Sequence, residues 1–264
     1  TIHMFLLPFM EEQALYDMYN FDINAVDEQV YPDGTPLGSR YVASFVCPSD
    51  DPPGEAHHTQ QTRNKLLTVD QLKTYKPSNY AASRGPTQQV SGGTGSPCPL
   101  MGNWNQSAGP AVQDTPRGNI TYWYPDGSSA AQRKMFGGPF TRLNYHVKLK
   151  QITDGLSQTI FMGEVRVGCS AHAGEGWGFS HSGNGLISTL IPINFDSCNQ
   201  SNPQLRCFYW DNWVSELGFK SAHPGGALFV LGDASVQFFP EAIDPRVYNV
   251  LGGKADGESA SLSL

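Results

Sequence analysis

Two apolar runs near the C-terminal end, ALFVL (227–231) and SVQFF (235–239), constrain the fold of this chain more than any other feature. β-Branched and aromatic residues favour extended strands, and the intervening Gly-Asp-Ala is typical of a tight turn. The pattern predicts an antiparallel hairpin in which Asp233 accepts hydrogen bonds from its own turn amides. The following DPRVYNVLGG predicts a short helix with Asp244 as N-cap and Gly252 just past its end.

His223, Gly225 and Gly226 precede the first strand of this hairpin. An extended strand would hold His223 and Asp233 roughly 15 to 20 Å apart, so the two side chains are not expected to share a catalytic or metal site. The glycines allow a positive φ or a close backbone approach where the chain enters the strand. We predict a structural role for all four residues.

The remaining segments indicate an α+β fold, with an antiparallel sheet and peripheral helices, in a single domain over residues 1–264. LPFMEEQALYDMYN predicts a helix, and YVASFV a strand that ends at Cys47-Pro48. NYAASRG, residues 159–165 and RCFYWDNWV are further expected strands. Residues 84–118 and 168–206 are rich in Gly, Ser and Asn and predict long irregular loops that present a variable surface.

The charge balance narrows the class of partner. A net charge of -7 and a pI near 5.4, without a Lys/Arg cluster, argue against nucleic-acid binding. No apolar run reaches the roughly 20 residues of a spanning helix. The abrupt apolar opening, TIHMFLLPF, is typical of a fragment whose natural N-terminal segment is missing.

Five cysteines suggest an oxidising, extracytoplasmic location. The short polar loop CNQSNPQLRC predicts a disulfide between Cys198 and Cys207, and the odd count leaves one cysteine without a partner.

Metal-binding motifs are not recognisable. His57 and His58 are adjacent, and His172 belongs to a glycine-rich stretch whose spacing matches no zinc motif. We therefore predict no metal and no cofactor, with calcium at loop aspartates such as Asp50 or Asp154 as the alternative.

Catalytic motifs are equally weak. HSGNG, which begins at His181, lacks the glycine that a nucleophile elbow requires before the serine. Glu164, Glu175 and Asp211 are available carboxylates, but one sequence does not pair them. We predict that the chain is not an enzyme and keep a hydrolase as a second alternative.

Aromatic clusters raise a ligand-binding hypothesis. Exposed rings on a sheet or loop can stack on the faces of sugars. The candidate contacts are Trp177, Trp210, Trp213, Tyr122 and Tyr124. Core packing is the competing interpretation of the same rings.

Five ordered blocks resemble a large pseudopilin-like family of planctomycete bacteria. They are LLPFMEEQALYDMYN, FVCPSDDP, NYAASRG, ITDGLSQTIFMGE and SAHPGGALFVLGDASVQFF, and the resemblance runs from about Leu6 to Gly257. Family members carry a prepilin-type leader and helix and a C-terminal H-x9-D-G motif. This chain keeps the His223–Asp233 spacing but has Ala234 in place of the glycine. The family is described as a domain of unknown function and also as a solute-binding protein.

The resemblance implies a secreted or envelope-anchored, pilin-like α+β domain that reaches a membrane only through a missing N-terminal helix. From it we predict a non-enzymatic head domain that assembles with other pilin-like subunits in an envelope filament or pseudopilus. A glycan- or solute-binding protein with polysaccharide as its partner is the first alternative.

Overall fold

The computed structural model describes residues 1–23, 26–50, 67–87, 113–115, 118–120, 137–140, 147–179, 185–202, 207–212, 215–255 and 257. Its helices are α1 (Ile2–Leu6), α2 (Gln13–Tyr16), α3 (Val69–Lys73) and α4 (Pro245–Gly252). Its strands are β1 (Tyr80–Ser83), β2 (Gln113–Thr115), β3 (Gly118–Ile120), β4 (Ile160–Glu164), β5 (Leu186–Ile187), β6 (Gly226–Leu231) and β7 (Val236–Pro240).

A five-stranded sheet in the order β5-β1-β4-β6-β7 organises the described chain, and β2 pairs with β3 in a separate hairpin. Neighbouring strands of the large sheet are antiparallel except β1 and β5, which are parallel. The α+β class is confirmed, while the expected all-antiparallel sheet is mixed at this one pair.

The inner face of the sheet carries the main core. Phe229 of β6 stacks on Phe239 of β7 with 5.1 Å between ring centroids, and Phe219 meets Phe229 edge-on at the same distance. Tyr248 of α4 closes the cluster from the other side. Asp244 caps α4 by accepting hydrogen bonds from the first free amides of the helix, so this helix begins where the sequence predicted.

The hairpin turn has the expected position. Asp233 accepts hydrogen bonds from the amide and the hydroxyl of Ser235, at 2.9 and 2.7 Å. Ala234 takes a left-handed conformation with φ of 68°, which explains why a glycine suits this position. Gly225 also has a positive φ, and a Cβ on Gly226 would clash with the backbone oxygen of Phe239 in β7.

The N-terminal region differs from the single helix predicted over residues 7–20. A 3-10 turn over Leu7–Met10 follows α1, and the left-handed φ of 61° at Glu11 separates this turn from α2. The short helices pack through Met4 and Leu15 on Phe45 and Trp177 to form a second apolar cluster.

Three other expectations are corrected. The segment before Cys47 forms a 3-10 turn over Ala43–Phe45 rather than a strand. The aromatic run around Tyr209 makes an isolated bridge to Asn199 instead of a regular strand. Much of the described part of 168–206 is buried, because its aliphatic residues join the sheet core, whereas most of 84–118 lies outside the described residues.

Within the described ranges, no helix combines the length and the apolar character needed to cross a membrane.

Candidate functional site

Three side chains that are far apart in sequence converge at one end of β4. The imidazole Nε2 of His223 lies 3.3 Å from Oε1 of Glu164, and the Cys47 thiol lies 3.9 Å from each of these two atoms. All three offer ligand atoms within 4.8 Å of one another. We call this set the Cys47 cluster.

The sheet fixes the carboxylate of this cluster. Glu164 is the last residue of β4, and its second oxygen, Oε2, accepts a 2.7 Å hydrogen bond from the backbone amide of Leu228 in β6. Its backbone carbonyl accepts a hydrogen bond from Lys220. Oε1 is thereby held toward the thiol and the imidazole.

The other two members are positioned by loops that side chains hold in place. The backbone amide of Cys47 donates to Oδ1 of Asn79 at 3.0 Å. The backbone amide of His223 donates to the hydroxyl of Ser221 at 3.0 Å. The first contact fixes the Cys47 loop beside the start of β1, and the second orders the turn that carries His223.

A polar network borders the cluster. The amide group of Asn79 donates to Asp50 at 2.8 Å, and Arg166 forms an ion pair with Asp50 at 3.3 Å. Burial raises the pKa of the Tyr80 phenol, and the nearby Cys47 and Glu164 raise it further. The phenol therefore stays protonated beside the cluster at neutral pH.

The cluster is reachable from solvent on one side. The His223 side chain is 35% exposed, whereas the side chain of Glu164 is 4% exposed. Cys47 is also buried and carries a free thiol. The imidazole thus forms the solvent-facing side of an otherwise enclosed set of donors.

The geometry of the Cys47 cluster distinguishes a catalytic relay from a set of ligands that converge on one point. A nucleophile–base–orienter relay requires that the thiol contact one ring nitrogen and the carboxylate the other. Here both groups approach the same atom, Nε2 of His223. The arrangement matches convergent ligands rather than a relay.

A second histidine–carboxylate group, the Glu216 cluster, lies deeper in the molecule and comprises His172, Asp211 and Glu216. Glu216 is 2.7 Å from Nδ1 of His172 and accepts hydrogen bonds from the His172 amide and the Ser170 hydroxyl. Burial alone would lower the pKa of His172, but Glu216, together with the negative charges of Glu175 and Asp211, outweighs burial and raises the pKa. This cluster is a buried, hydrogen-bonded ion pair.

The disulfide prediction is wrong in its partner. Cys198 pairs with Cys169, 29 residues earlier, and Cys207 is disulfide-bonded as well but not to Cys198. The hydroxyl of Ser197 donates to the carbonyl of Cys169 and draws the two segments together. The entropy cost of closing a loop changes slowly with its length. The shorter loop between Cys198 and Cys207 therefore had only a small entropic advantage over the loop between Cys169 and Cys198, which packing brings together.

The predicted ring contacts do not form an exposed platform in the described residues. Trp177 is 2% exposed and packs on Phe45 in the N-terminal cluster, so it presents no face to a ligand. Trp210 is half-buried. Tyr122, Tyr124 and Trp213 lie outside the described residues.

Other sequence candidates are engaged in local structure. Glu175 is buried, and Asp154 accepts a hydrogen bond from the amide of Gly257 at 3.0 Å. Asp50 is engaged by Arg166 and Asn79, as described above. His57, His58 and His181 lie outside the described residues.

Sequence reasoning missed the Cys47 cluster as a unit. Its members are 117 and 176 residues from Cys47, so no local spacing indicates it. A signal was nevertheless present, because Cys47, Glu164 and His223 each come from a different block of the five that carry the family resemblance. Residues from blocks that are distant in sequence can meet at one site in the fold.

A family model matches residues 2–246, which is most of the chain. The family is SBP_bac_10, described as a protein of unknown function (DUF1559). Comparisons with curated proteins and with solved structures gave no significant match. The chain therefore belongs to the DUF1559 family.

Proposed function

We propose that this protein is a non-enzymatic, extracytoplasmic head domain of the pilin-like kind, which assembles through its sheet with further copies of pilin-like subunits. The observation that carries the proposal is an apolar surface on the outer face of the β6–β7 hairpin. Membership of the DUF1559 family and the resemblance to pseudopilins agree with it but do not identify the contact surface.

The outer face is contiguous because its members pair across the two strands. Leu228 lies opposite Phe238, and Val230 lies opposite Val236. Val236 is 62% exposed, Phe238 44% and Leu228 37%. Exposed apolar groups that cluster on one surface, unlike scattered ones, are typical of sites of protein association.

The position of this face favours a sheet partner. β7 is the edge strand of the five-stranded sheet, and no other strand of the described residues pairs with its outer side. Soluble proteins usually protect such an edge with charges or bulges. The hairpin instead combines the open edge with Val236 and Phe238, as expected of a surface that another subunit covers.

The disulfides support the extracytoplasmic location. Cys169 and Cys198 are bonded, and Cys207 is oxidised as well. Disulfides persist in oxidising compartments and are rare in the reducing cytosol.

The non-enzymatic assignment draws on the geometry of the histidine–carboxylate groups. Nε2 of His223 meets both Cys47 and Glu164, which gives no relay, and His172 is buried with Glu216. A hydrolase would instead need a base poised between a nucleophile and an orienting group in an open cleft.

Sedimentation equilibrium of the purified, oxidised chain tests the assembly surface. We expect concentration-dependent self-association that the double substitution Val236→Thr/Phe238→Thr abolishes, because threonine keeps the strand propensity but removes apolar area. The matched control is Leu149→Thr, which removes an equally exposed apolar side chain outside the sheet. A wild-type chain that stays monomeric up to millimolar concentration, or a control that dissociates equally, would contradict the proposal.

A further inference from the structure

We propose that the Cys47 cluster is a binding site for a divalent transition-metal ion, of which zinc is the representative. The thiolate of Cys47, the imidazole of His223 and the carboxylate of Glu164 supply one sulfur, one nitrogen and one oxygen donor. This mixed set suits a borderline-soft ion such as Zn²⁺ and not the hard ions Ca²⁺ and Mg²⁺, which select oxygen ligands.

The separations between the donor atoms match those around a tetrahedral ion. Bond lengths of about 2.0 Å to nitrogen or oxygen and about 2.3 Å to sulfur place N and O about 3.3 Å apart, and S about 3.6 Å from each. The observed distances are 3.3 Å between His223 and Glu164 and 3.9 Å from Cys47 to both. A movement of a few tenths of an ångström at the thiol would complete the arrangement.

The donors are held in place by further hydrogen bonds that do not involve their ligand atoms. Leu228 occupies Oε2 of Glu164 and leaves Oε1 toward the cluster. Asn79 and Ser221 hold the backbones of Cys47 and His223. Outer contacts of this kind orient metal ligands and strengthen their binding.

The state of Cys47 is the independent observation. It is a free cysteine in a chain whose Cys169, Cys198 and Cys207 are all oxidised. A thiol that is buried beside a carboxylate and an imidazole gains little from packing there, since both neighbours are polar. A bound metal ion explains why a thiol, an imidazole and a carboxylate share one point.

Three protein donors leave one tetrahedral position for water or for a group from a partner. The exposed side of His223 provides the route by which an ion enters. This inference replaces the sequence-based expectation that the chain holds no metal. Its test is independent of the assembly test, since Val236 and Phe238 take no part in the site and Leu228 contributes only its backbone amide.

Isothermal titration of the chelator-treated chain with zinc chloride tests the site. We expect one zinc ion per chain with micromolar or tighter affinity, and no comparable binding of Ca²⁺ or Mg²⁺. Cys47→Ser, Glu164→Gln and His223→Gln should each weaken zinc binding by about 100-fold or more, since loss of an outer contact alone costs 10- to 100-fold. Urea unfolding without metal confirms that each variant is folded.

One control separates this site from the second histidine–carboxylate group. His172→Gln changes the Glu216 cluster and should leave zinc affinity within about threefold of the wild type. Absence of zinc binding, equal binding of Ca²⁺, or unchanged affinity in the Cys47, Glu164 and His223 variants would overturn the proposal.

Discussion

The Cys47 cluster and the Glu216 cluster each contain a histidine–carboxylate pair, but the two pairs differ in their neighbours and in their access to solvent. Both oxygens of Glu216 accept hydrogen bonds, from His172 and Ser170, in a site with almost no solvent access. Glu164 has one oxygen fixed by the sheet and the other directed at the thiol of Cys47 and the partly exposed imidazole of His223. The Glu216 pair is enclosed and stabilises the fold, whereas the Glu164 pair faces a thiol and has access to solvent, so it is available for a ligand.

Replacing each glutamate by glutamine should give the largest difference in stability between the two clusters. Glu216→Gln places an N–H group against donors and leaves a buried histidine without its counter-charge, so we expect a loss of about 3 kcal/mol or more in the free energy of unfolding. Glu164→Gln keeps the acceptor for Leu228, and its amide can donate to the imidazole, so the loss should stay within about 1 kcal/mol. Urea unfolding of both variants measures the difference, and equal losses would show that the two clusters have the same role.

A third histidine extends the comparison to a buried imidazole without a carboxylate. Burial lowers the pKa of His3 to about 4, although Nε2 of His3 donates a 2.7 Å hydrogen bond to the carbonyl of Tyr80. The unfolded chain therefore binds more protons between pH 6.5 and 4, and stability falls as the pH is lowered through this window. The fall should reach about 3 kcal/mol and shrink in His3→Phe. Unfolding free energies at several pH values measure it, and an identical pH profile in the variant would contradict this assignment.

His172 should show the opposite sign. Its pKa is raised by Glu216, so the charged pair contributes stability that is fully present below pH 6.5 and is lost as the pH rises through the raised value. The difference in unfolding free energy between the wild type and His172→Gln should therefore diminish above pH 6.5. A difference that grows with pH would show that His172 is buried in the neutral form.

Zinc should act on one cluster alone. At a free concentration 100 times the dissociation constant, a ligand that binds only the folded state stabilises it by about 2.7 kcal/mol. We expect this increase in the wild type and in His172→Gln, and an increase of at most about 0.4 kcal/mol in His223→Gln, whose affinity is weaker by about 100-fold or more. Thermal unfolding with and without zinc measures the shift, and equal stabilisation of all three chains would place the metal elsewhere.

The parts of the fold that were predictable depend on neighbours in sequence. The β6–β7 hairpin, the turn at Asp233 and the cap at Asp244 are local, since each follows from strand propensity or turn chemistry within a few residues. The break at Glu11 was not predictable, because a non-glycine residue with positive φ has no strong local signature.

The candidate site was hidden for the opposite reason. Glu164 and His223 face Cys47 only because β4 and β6 pair in a register that brings Leu228 to the Glu164 carboxylate. Neither the spacing of the cysteines nor that of the histidines predicts how β4 and β6 pair. The Cys169–Cys198 bridge was missed in the same way, since chain packing rather than loop length selects the partner.

Cobalt absorption is the most direct test of the difference between the clusters. Co²⁺ replaces Zn²⁺ in sites of this donor type, and a bound thiolate gives it a strong near-ultraviolet charge-transfer band. We predict this band in the wild type and in His172→Gln, and its loss in Cys47→Ser. A wild-type spectrum without a thiolate band, or a band that survives in Cys47→Ser, would contradict the assignment of the Cys47 cluster as a metal site.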